Sequence, residues 1–163
     1  MKNIGSMFQG CHSLKEINLS NINGPNIEDM GGIFLSCEQL TSVNFSNIRT
    51  EKVINMRYMF SGCESLISLV LSSFKTKYLK YIDFMFSDCI SLKSIDISSF
   101  DASDLESMNG TFYNCRKLTS LNLSNFKTKK LKYLYSPFEL TSLKYLDISN
   151  FDTSKITTMH LSF

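Results

Sequence analysis

The 163-residue sequence contains no tryptophan, only one alanine (Ala102) and only two prolines. Because alanine is the strongest helix former, its scarcity argues against a helical bundle. No apolar run approaches the roughly 18 to 20 residues that a membrane-spanning helix needs, and the first residues lack the apolar segment of a signal peptide. The near balance of 17 basic and 15 acidic side chains argues against nucleic-acid binding. We therefore predict no nucleic-acid partner and no direct membrane insertion.

What the sequence does contain is a series of five cysteines, each 26 residues after the last. They are Cys11, Cys37, Cys63, Cys89 and Cys115. A phenylalanine precedes each cysteine by three residues, and these phenylalanines mark the starts of six copies at Phe8, Phe34, Phe60, Phe86, Phe112 and Phe138. The sixth copy is one residue short, with Leu140 expected in the cysteine position, and Phe163 begins a further copy. A constant period in this range is typical of stacked repeat proteins.

The segment after each cysteine alternates apolar and polar residues, as in Ile17, Asn18 and Leu19, which predicts a short strand. Stacked copies would pair these strands in parallel, giving one sheet along one face of a mainly β solenoid of about six coils. The residues around phenylalanine and cysteine predict a tight turn or a single helical turn, and residues 50–56 and their equivalents predict an extended segment with room for a second short strand. We treat residues 1–163 as one solenoid, either uncapped or part of a longer array.

The repeat MFxxCxSLxxLxLSxFxTxxLxxM resembles the leucine-rich repeat of the BspA-like class, in the form found in mycoplasma surface lipoproteins. The paired Met-Phe recurs, as in Met59-Phe60, and so does the Leu-Ser after the strand, as in Leu71-Ser72. The resemblance implies a curved solenoid with its parallel sheet on one face. It also implies binding to other macromolecules at the cell surface or after secretion, without catalysis and without a cofactor. No secretion signal, lipobox or anchor accompanies the repeats in this chain.

The cysteine column has two interpretations, a framework of disulfides or metal ligands and a core ladder of free thiols. Neighbouring cysteines would have Cβ atoms ~4.8 Å apart, beyond the ~3.5 to 4.5 Å of a disulfide. A metal site needs ligands that converge on one point, and positions spread along a line do not converge. An apolar Leu140 in the sixth position would also suit a core column. The spacing therefore favours free thiols packed in the core beside the phenylalanine column.

The outward residues of the predicted strands are small and polar, and a serine ends every strand. One interpretation is that these serines cap the turn that follows each strand. The alternative is a binding surface for a protein or a glycan, with Tyr145 as its aromatic anchor among Asp96, Asn122 and Asp147. We take these four residues as the candidate interaction face.

The charged residues also align between copies. Lys127, Lys129, Lys130 and Lys132 form a candidate basic patch for an anionic partner, and the alternative is a solvated, self-complementary rim. A column of alternating charge, which predicts attraction between successive coils, comprises Lys75, Asp101, Lys127 and Asp152. The only histidines, His12 and His160, fall at opposite ends of the predicted stack, too far apart to cooperate in catalysis.

These observations predict a non-enzymatic interaction module, with no catalytic residue and no metal site, whose ligand is a protein or a glycan. The alternative function is a structural scaffold that associates end to end, because apolar columns continue to both ends of the stack.

Overall fold

The computed structural model describes residues 2–22 and 26–160, and within them the chain forms a β-solenoid of about six coils without a helix. Phe163, expected to begin a further copy, lies outside the described residues. Each coil contributes one three-residue strand to a first column, and the last two coils add strands to a second column. The first column consists of β1 (Glu16–Asn18), β2 (Ser42–Asn44), β3 (Ser68–Val70), β4 (Ser94–Asp96), β5 (Ser120–Asn122) and β7 (Tyr145–Asp147). The second column contains β6 (Tyr133–Tyr135) and β8 (Thr158–His160).

Period-two alternation explains the first column, because each strand turns its middle residue inward. Leu69 and Leu121 are buried in this way, while the residues on either side of each are exposed. The strands pair in parallel as predicted, β1 with β2, β3 with β4 and β5 with β7. Their ladder hydrogen bonds come in these pairs rather than in one continuous sheet, although β4 and β5 lie in contact.

The second column confirms that the third segment of each coil is extended. In the earlier coils, isolated parallel β-bridges link equivalent residues of successive coils. In the last two coils, the strands β6 and β8 pair in parallel at the same place. The bridged residues are Asn3, Asp29, Asn55, Tyr81, Ser107 and Tyr133.

The segment around each phenylalanine is a turn that bonds both within its coil and to the next coil. Ser6, Phe8 and Gly10 donate their backbone N–H groups to carbonyls of the second coil at 2.8 to 3.0 Å. The residues between them donate to carbonyls three positions earlier. This geometry places a left-handed residue two positions before each phenylalanine, at Ser6, Gly32, Tyr58, Phe84, Gly110 and Ser136. A second one follows two positions after it, at Gly10, Ser36, Gly62, Asp88, Asn114 and Leu140.

The left-handed column corrects the expected place of Leu140. Its φ of 58° matches the 60° of Asn114, so Leu140 is the turn residue two positions after Phe138, and its side chain is 52% exposed. Thr141 stands in the cysteine position instead and donates its hydroxyl to the Phe138 carbonyl at 2.7 Å. The turn geometry determines the alignment, so the missing residue falls after Thr141. Leu140 therefore lends no support to an apolar cysteine column.

The core is built on two phenylalanine stacks. In the first, rings of successive coils lie nearly parallel from Phe8 to Phe138, with centroids 5.4 to 6.1 Å apart. In the second, rings at 6.3 to 6.4 Å run from Phe74 through Phe100 and Phe126 to Phe151. Each stacked pair contributes roughly 0.5 to 1.5 kcal/mol beyond its buried area. One coil alone could make none of these contacts, so the core forms only when coils stack.

The five cysteines are free, and four of them are buried beside the first stack. Each buried thiol donates a hydrogen bond to the phenylalanine carbonyl of the preceding coil, for example from Cys37 Sγ to Phe8 O at 3.1 Å. Burial raises the pKa of Cys37 to about 11 and that of Cys115 to about 12, so these thiols stay protonated and can donate. The expectation that all five belong to the core is wrong for Cys11, which is exposed because no earlier coil covers it among the described residues.

Candidate interaction surfaces

The strand face, which we define as the outward residues of the first-column strands, carries all four residues of the candidate interaction face. Asp96 lies on β4, Asn122 on β5, and Tyr145 and Asp147 on β7. The β5–β7 register sets Asn122 opposite Asp147, and the Tyr145 side chain is 59% exposed. The fold therefore brings the four residues onto one surface.

The polar members of this face also have a local structural role. Their side-chain oxygens accept the backbone N–H of the serine two residues later, at 2.9 to 3.0 Å. Asn18 and Asn44 do the same in the first two coils. The prediction that the serine side chains cap these turns is wrong, because the capping group is the Asx oxygen, which accepts the backbone N–H of the serine. Hydrogen bonds from Ser98 and Ser149 hold the pKa values of Asp96 and Asp147 below the usual range.

The basic patch is partly neutralised by the preceding coil. Lys130 Nζ lies 2.7 Å from Asp104 Oδ1, and Lys132 Nζ lies 3.3 Å from Glu106 Oε2. Glu106 also pairs with Lys80 at 3.3 Å. Burial alone would raise the pKa of Glu106, but the hydrogen bonds from these two lysines outweigh it and hold that pKa below its usual range.

The other two lysines of the patch, Lys127 and Lys129, make no ion pair within 4.0 Å in the described part of the chain. Lys130 and Lys132 are thus paired as in the self-complementary rim, whereas Lys127 and Lys129 keep the unpaired charge that an anionic partner would need.

The predicted column of alternating charge forms no direct ion pairs in the described ranges. Asp101 and Asp152 instead accept the backbone N–H groups two residues later at 2.9 Å. The bonds between coils come from buried threonines, since Thr76 Oγ1 accepts the Asp101 N–H and Thr128 Oγ1 accepts the Asp152 N–H, both at 2.7 Å. The aspartates turn toward their own coil, so these rungs attract one another without direct contact: hydrogen bonds from Ser103 hold the pKa of Asp101 below its usual range, and the charge of Lys127 lowers it further.

A second surface, the bridge face, consists of the outward residues around the second column. Sequence reasoning did not select it. Asp29 Oδ1 accepts hydrogen bonds from Gly31 N at 2.8 Å and from Asn55 Nδ2 at 2.9 Å. Asn55 Oδ1 in turn accepts the Arg57 N–H at 3.0 Å. Side chains therefore connect neighbouring coils along this face.

The network continues through an ion pair. Arg57 Nε donates to Asp83 Oδ2 at 2.8 Å, and the guanidinium carbon lies 3.9 Å from the centroid of the Tyr81 ring. The Asp83 carboxylate, only 8% exposed, also accepts the Ser107 hydroxyl and the Asn109 N–H. Each partner is needed because a buried carboxylate without hydrogen bonds is costly. Reading the sequence down the columns at positions 3, 29, 55 and 57, 83, 109 would have shown this cluster of amide and charged residues.

An aromatic pair and a glycine gap lie beside the network. Tyr58 and Phe84 stack with centroids 5.2 Å apart, and a Cβ on Gly110 would lie 2.3 Å from the Phe84 ring. On the other side of Tyr58, Gly32 occupies the equivalent left-handed position and has no side chain. The result is a shallow depression of about 320 Å³, which we call the notch. It is lined by Asn3, Gly5, Ser6, Asp29, Gly31, Gly32, Leu35, Asn55, Arg57 and Tyr58.

The two histidines contact different residues rather than each other. His12 Nδ1 lies 3.1 Å from Glu38 Oε1, and the His160 ring stacks on Tyr135 at 5.5 Å. Within residues 2–22 and 26–160, no three His, Cys, Asp or Glu side chains converge as metal ligands would. The same residues include no helix long and apolar enough to span a bilayer.

The repeat geometry agrees with the family to which the sequence is similar. The model of a family described as "Mycoplasma protein of unknown function, DUF285" matches residues 2–120 and again residues 28–145. The chain belongs to the DUF285 family. The two matches start 26 positions apart (28 − 2), which is one coil, as expected when a repeat model is shifted along a repeat protein. The resemblance to a repeat of mycoplasma proteins is thereby confirmed.

Two solved structures resemble this DUF285 chain. A leucine-rich repeat protein from Eubacterium ventriosum ATCC 27560 is 22% identical with a TM-score of 0.57, and the match covers 87% of this chain and 34% of that one. A leucine-rich repeat protein from Bacteroides ovatus ATCC 8483 is 23% identical with a TM-score of 0.47, over 94% of this chain and 44% of that one. The chain thus spans less than half the length of either protein. No curated protein sequence matches it.

Proposed function

We propose that this DUF285 chain is a non-enzymatic module that binds a protein ligand through its strand face. The observation that carries the proposal is a pair of exposed apolar side chains on an otherwise polar strand face. Val70 ends β3 and Tyr145 begins β7, each is more than half exposed, and the equally exposed Ile67 lies just before β3. An aromatic anchor surrounded by polar residues is typical of the energetic centre of a protein interface.

The polar residues between these anchors support the proposal because they are already ordered. Asp96, Asn122 and Asp147 are each held by a hydrogen bond to the turn that follows their strand. Immobilising a free side chain on binding costs about 0.5 to 1.5 kcal/mol, and a held side chain avoids much of that cost. Successive coils are ~4.8 Å apart, so the distance from β3 to β7 is ~14 Å, which suits a protein surface better than a small molecule.

We place the module at the cell surface or in a secreted protein. The BspA-like resemblance supports this location. Antibody labelling of intact source cells, compared with permeabilised cells, tests it: signal only after permeabilisation would refute the location.

The test of binding uses a panel of purified extracellular matrix and surface proteins, immobilised for surface plasmon resonance. We expect at least one to bind, and we expect Tyr145→Ala to weaken that binding by tenfold or more, since anchor residues contribute about 2 kcal/mol or more. Val70→Asn, which restores the Asn found at this position in β1, β2 and β5, should weaken it less. Tyr78→Ala, at an exposed tyrosine on another surface, is the control. Failure of every panel protein to bind, or binding that survives the first two substitutions, would refute the proposal.

A second candidate function is a scaffold that associates through the ends of the stack. A cavity of about 430 Å³ at the last coil favours it, with apolar walls from Phe138, Leu140, Leu143 and Leu146. Sedimentation velocity over a hundredfold concentration range should then show oligomers that Leu140→Asn, the residue of the preceding coil, disperses. A monomer at all concentrations would remove this function.

A further inference from the structure

The geometry of the notch points to a site for a neutral sugar residue, so we propose that the bridge face binds an uncharged, hydroxyl-rich glycan. This activity is separate from the protein-binding function proposed above and does not depend on it. Three features carry the proposal: an aromatic wall, a set of polar groups with unused hydrogen-bonding capacity, and a mixed local charge.

The aromatic wall is the Tyr58 ring. One side of the ring stacks on Phe84, and the residue also lines the notch, where Gly32 of the same column has no side chain. Tyr58 is 41% exposed although it lies beside a fully buried core column. An exposed aromatic face beside a depression is the shape onto which the C–H face of a pyranose packs, because the faces of aromatic rings carry partial negative charge.

The polar groups around this wall offer both donors and acceptors. Asp29 uses one carboxylate oxygen for Gly31 and Asn55, and its second oxygen has no hydrogen-bond partner among the described residues. Arg57 donates only its Nε–H to Asp83, so its terminal N–H groups can donate to a ligand. Asn3 accepts the Gly5 N–H with its side-chain oxygen, so its side-chain NH₂ group can donate as well. Sugar hydroxyls both donate and accept hydrogen bonds, so they match a mixed set better than a purely acceptor or donor ligand does.

The lining charges disfavour strongly charged ligands. Arg57, the positive residue of the lining, already pairs with the nearly buried carboxylate of Asp83, and Asp29 lines the same depression. A sulfate or carboxylate ligand would meet Asp29, while a cation would meet the guanidinium. A neutral ligand avoids both penalties, because interactions between like charges are unfavourable at these separations.

The site is also rigid before any ligand arrives. Asp29 is held by Asn55, Arg57 by Asp83 and Tyr81, and Tyr58 by Phe84, which rests on Gly110. A preformed site loses little side-chain freedom on binding. The volume of about 320 Å³ is that of a shallow site for one or two sugar rings rather than for a long buried chain.

Two substitutions test the notch from opposite directions. Gly32→Tyr fills it, because Tyr58 and Phe84 show that this left-handed column accepts aromatic residues, and a Cβ at Gly32 meets no atom closer than 3.3 Å. Tyr58→Ser removes the wall and inserts the residue found in this column at Ser6 and Ser136. Tyr78→Ala is the matched control, an exposed tyrosine outside the notch. Circular dichroism and thermal unfolding would establish that each variant is folded.

The experiment is a printed array of neutral hexose and N-acetylhexosamine oligosaccharides beside sialylated and sulfated ones. Each oligosaccharide that binds is then titrated into the protein while tyrosine fluorescence is measured. This signal is not masked by tryptophan, because the chain has none. We expect binding to neutral oligosaccharides, a loss of tenfold or more in both notch variants, and no change in the control. The proposal is overturned if no neutral oligosaccharide binds, if only anionic ones bind, or if binding survives in a folded Tyr58→Ser protein. Because the probes are purified glycans, failure here leaves the protein-binding proposal untouched.

Discussion

On both the strand face and the bridge face an Asx oxygen accepts the N–H two residues later, but the bridge face adds side-chain bonds between coils. On the strand face, Asp96 and Asn122 bond to the backbone two residues later in their own coil. On the bridge face, Asn55 bonds to Asp29 and Arg57 to Asp83, each 26 residues away in a neighbouring coil. Bonds within a coil shape one turn at a time, whereas bonds between coils add to the interface energy that holds a repeat protein together. The comparison predicts that equivalent substitutions have unequal effects on the two faces.

The largest effect should follow Asp83→Ala. The change removes the acceptor for the Ser107 hydroxyl and the Asn109 N–H in a nearly buried site, and each donor left unpaired costs about 1 to 3 kcal/mol, while Arg57, whose side chain is 41% exposed, can be hydrated. Urea unfolding followed by circular dichroism measures the loss. A change below 1 kcal/mol would mean that the bridge-face network does not couple the coils.

Gly110→Ala should be the next most damaging change. The residue has a φ of 55°, and the new Cβ would lie 2.3 Å from the Phe84 ring. Left-handed strain adds roughly 1 to 2 kcal/mol, and displacement of the ring adds more. The same unfolding measurement applies, with Gly10→Ala as the control, because that left-handed glycine has no atom closer than 3.8 Å to its added Cβ. Equal losses in the two variants would show that backbone strain alone matters at these positions.

On the strand face, Asp96→Ala should cost only about half a kcal/mol, because an exposed hydrogen bond competes with water. The Ser98 hydroxyl and N–H lower the pKa of Asp96 below its ordinary value of 3.8. A lowered folded pKa stabilises the protein above pH 3.8, and that contribution disappears as the pH falls below this value through the folded pKa. Asp96→Asn keeps the acceptor and should lack this loss. The measurement is the melting temperature of the unaltered protein and of Asp96→Asn between pH 2 and pH 6. If both melting temperatures change in parallel with pH, the role of the carboxylate is contradicted.

The smallest expected effect is a gain. Ala102, the only alanine, stands in the column where Thr76 and Thr128 accept an N–H from the following coil. The Lys127 N–H, which the missing hydroxyl would bind, has no partner among the described residues. Ala102→Thr should therefore add roughly 0.5 to 1 kcal/mol by creating one bond between coils. Ala102→Val, of similar shape without a hydroxyl, is the control, and an equal gain in both would assign the effect to packing.

Much of the fold could be predicted from the spacing of the residues. The period of the cysteines and phenylalanines indicated the number of coils, and the alternation around Ile17 or Leu69 placed the first-column strands, because both follow from backbone geometry. The alignment of the sixth coil could not be read this way. Leu140 looked like a core residue by type, but the left-handed turn two residues after Phe138 places it on the surface.

The candidate surfaces also differ in how far the sequence could predict them. Tyr145, Asp96, Asn122 and Asp147 were placed together from the sequence because they share one face of adjacent strands. The bridge face was missed because its residues lie in an irregular segment where no simple alternation says which side chains point outward. That Asp101 bonds within its own turn rather than in a direct ion pair could not be predicted, because opposite charges in register do not reveal that the aspartate has a closer donor.

The sequence by itself determined the repeat, the parallel stacking and the phenylalanine core, since a periodic apolar pattern can be buried only by stacking the coils. Only the tertiary structure decided which side chains bond within a coil and which bond between coils. The physical reason is that hydrogen bonds depend on distances and directions of a few tenths of an ångström, which the residue type alone does not specify. The notch also depends on that geometry, because it is lined by Tyr58 together with Gly32, which has no side chain to fill it.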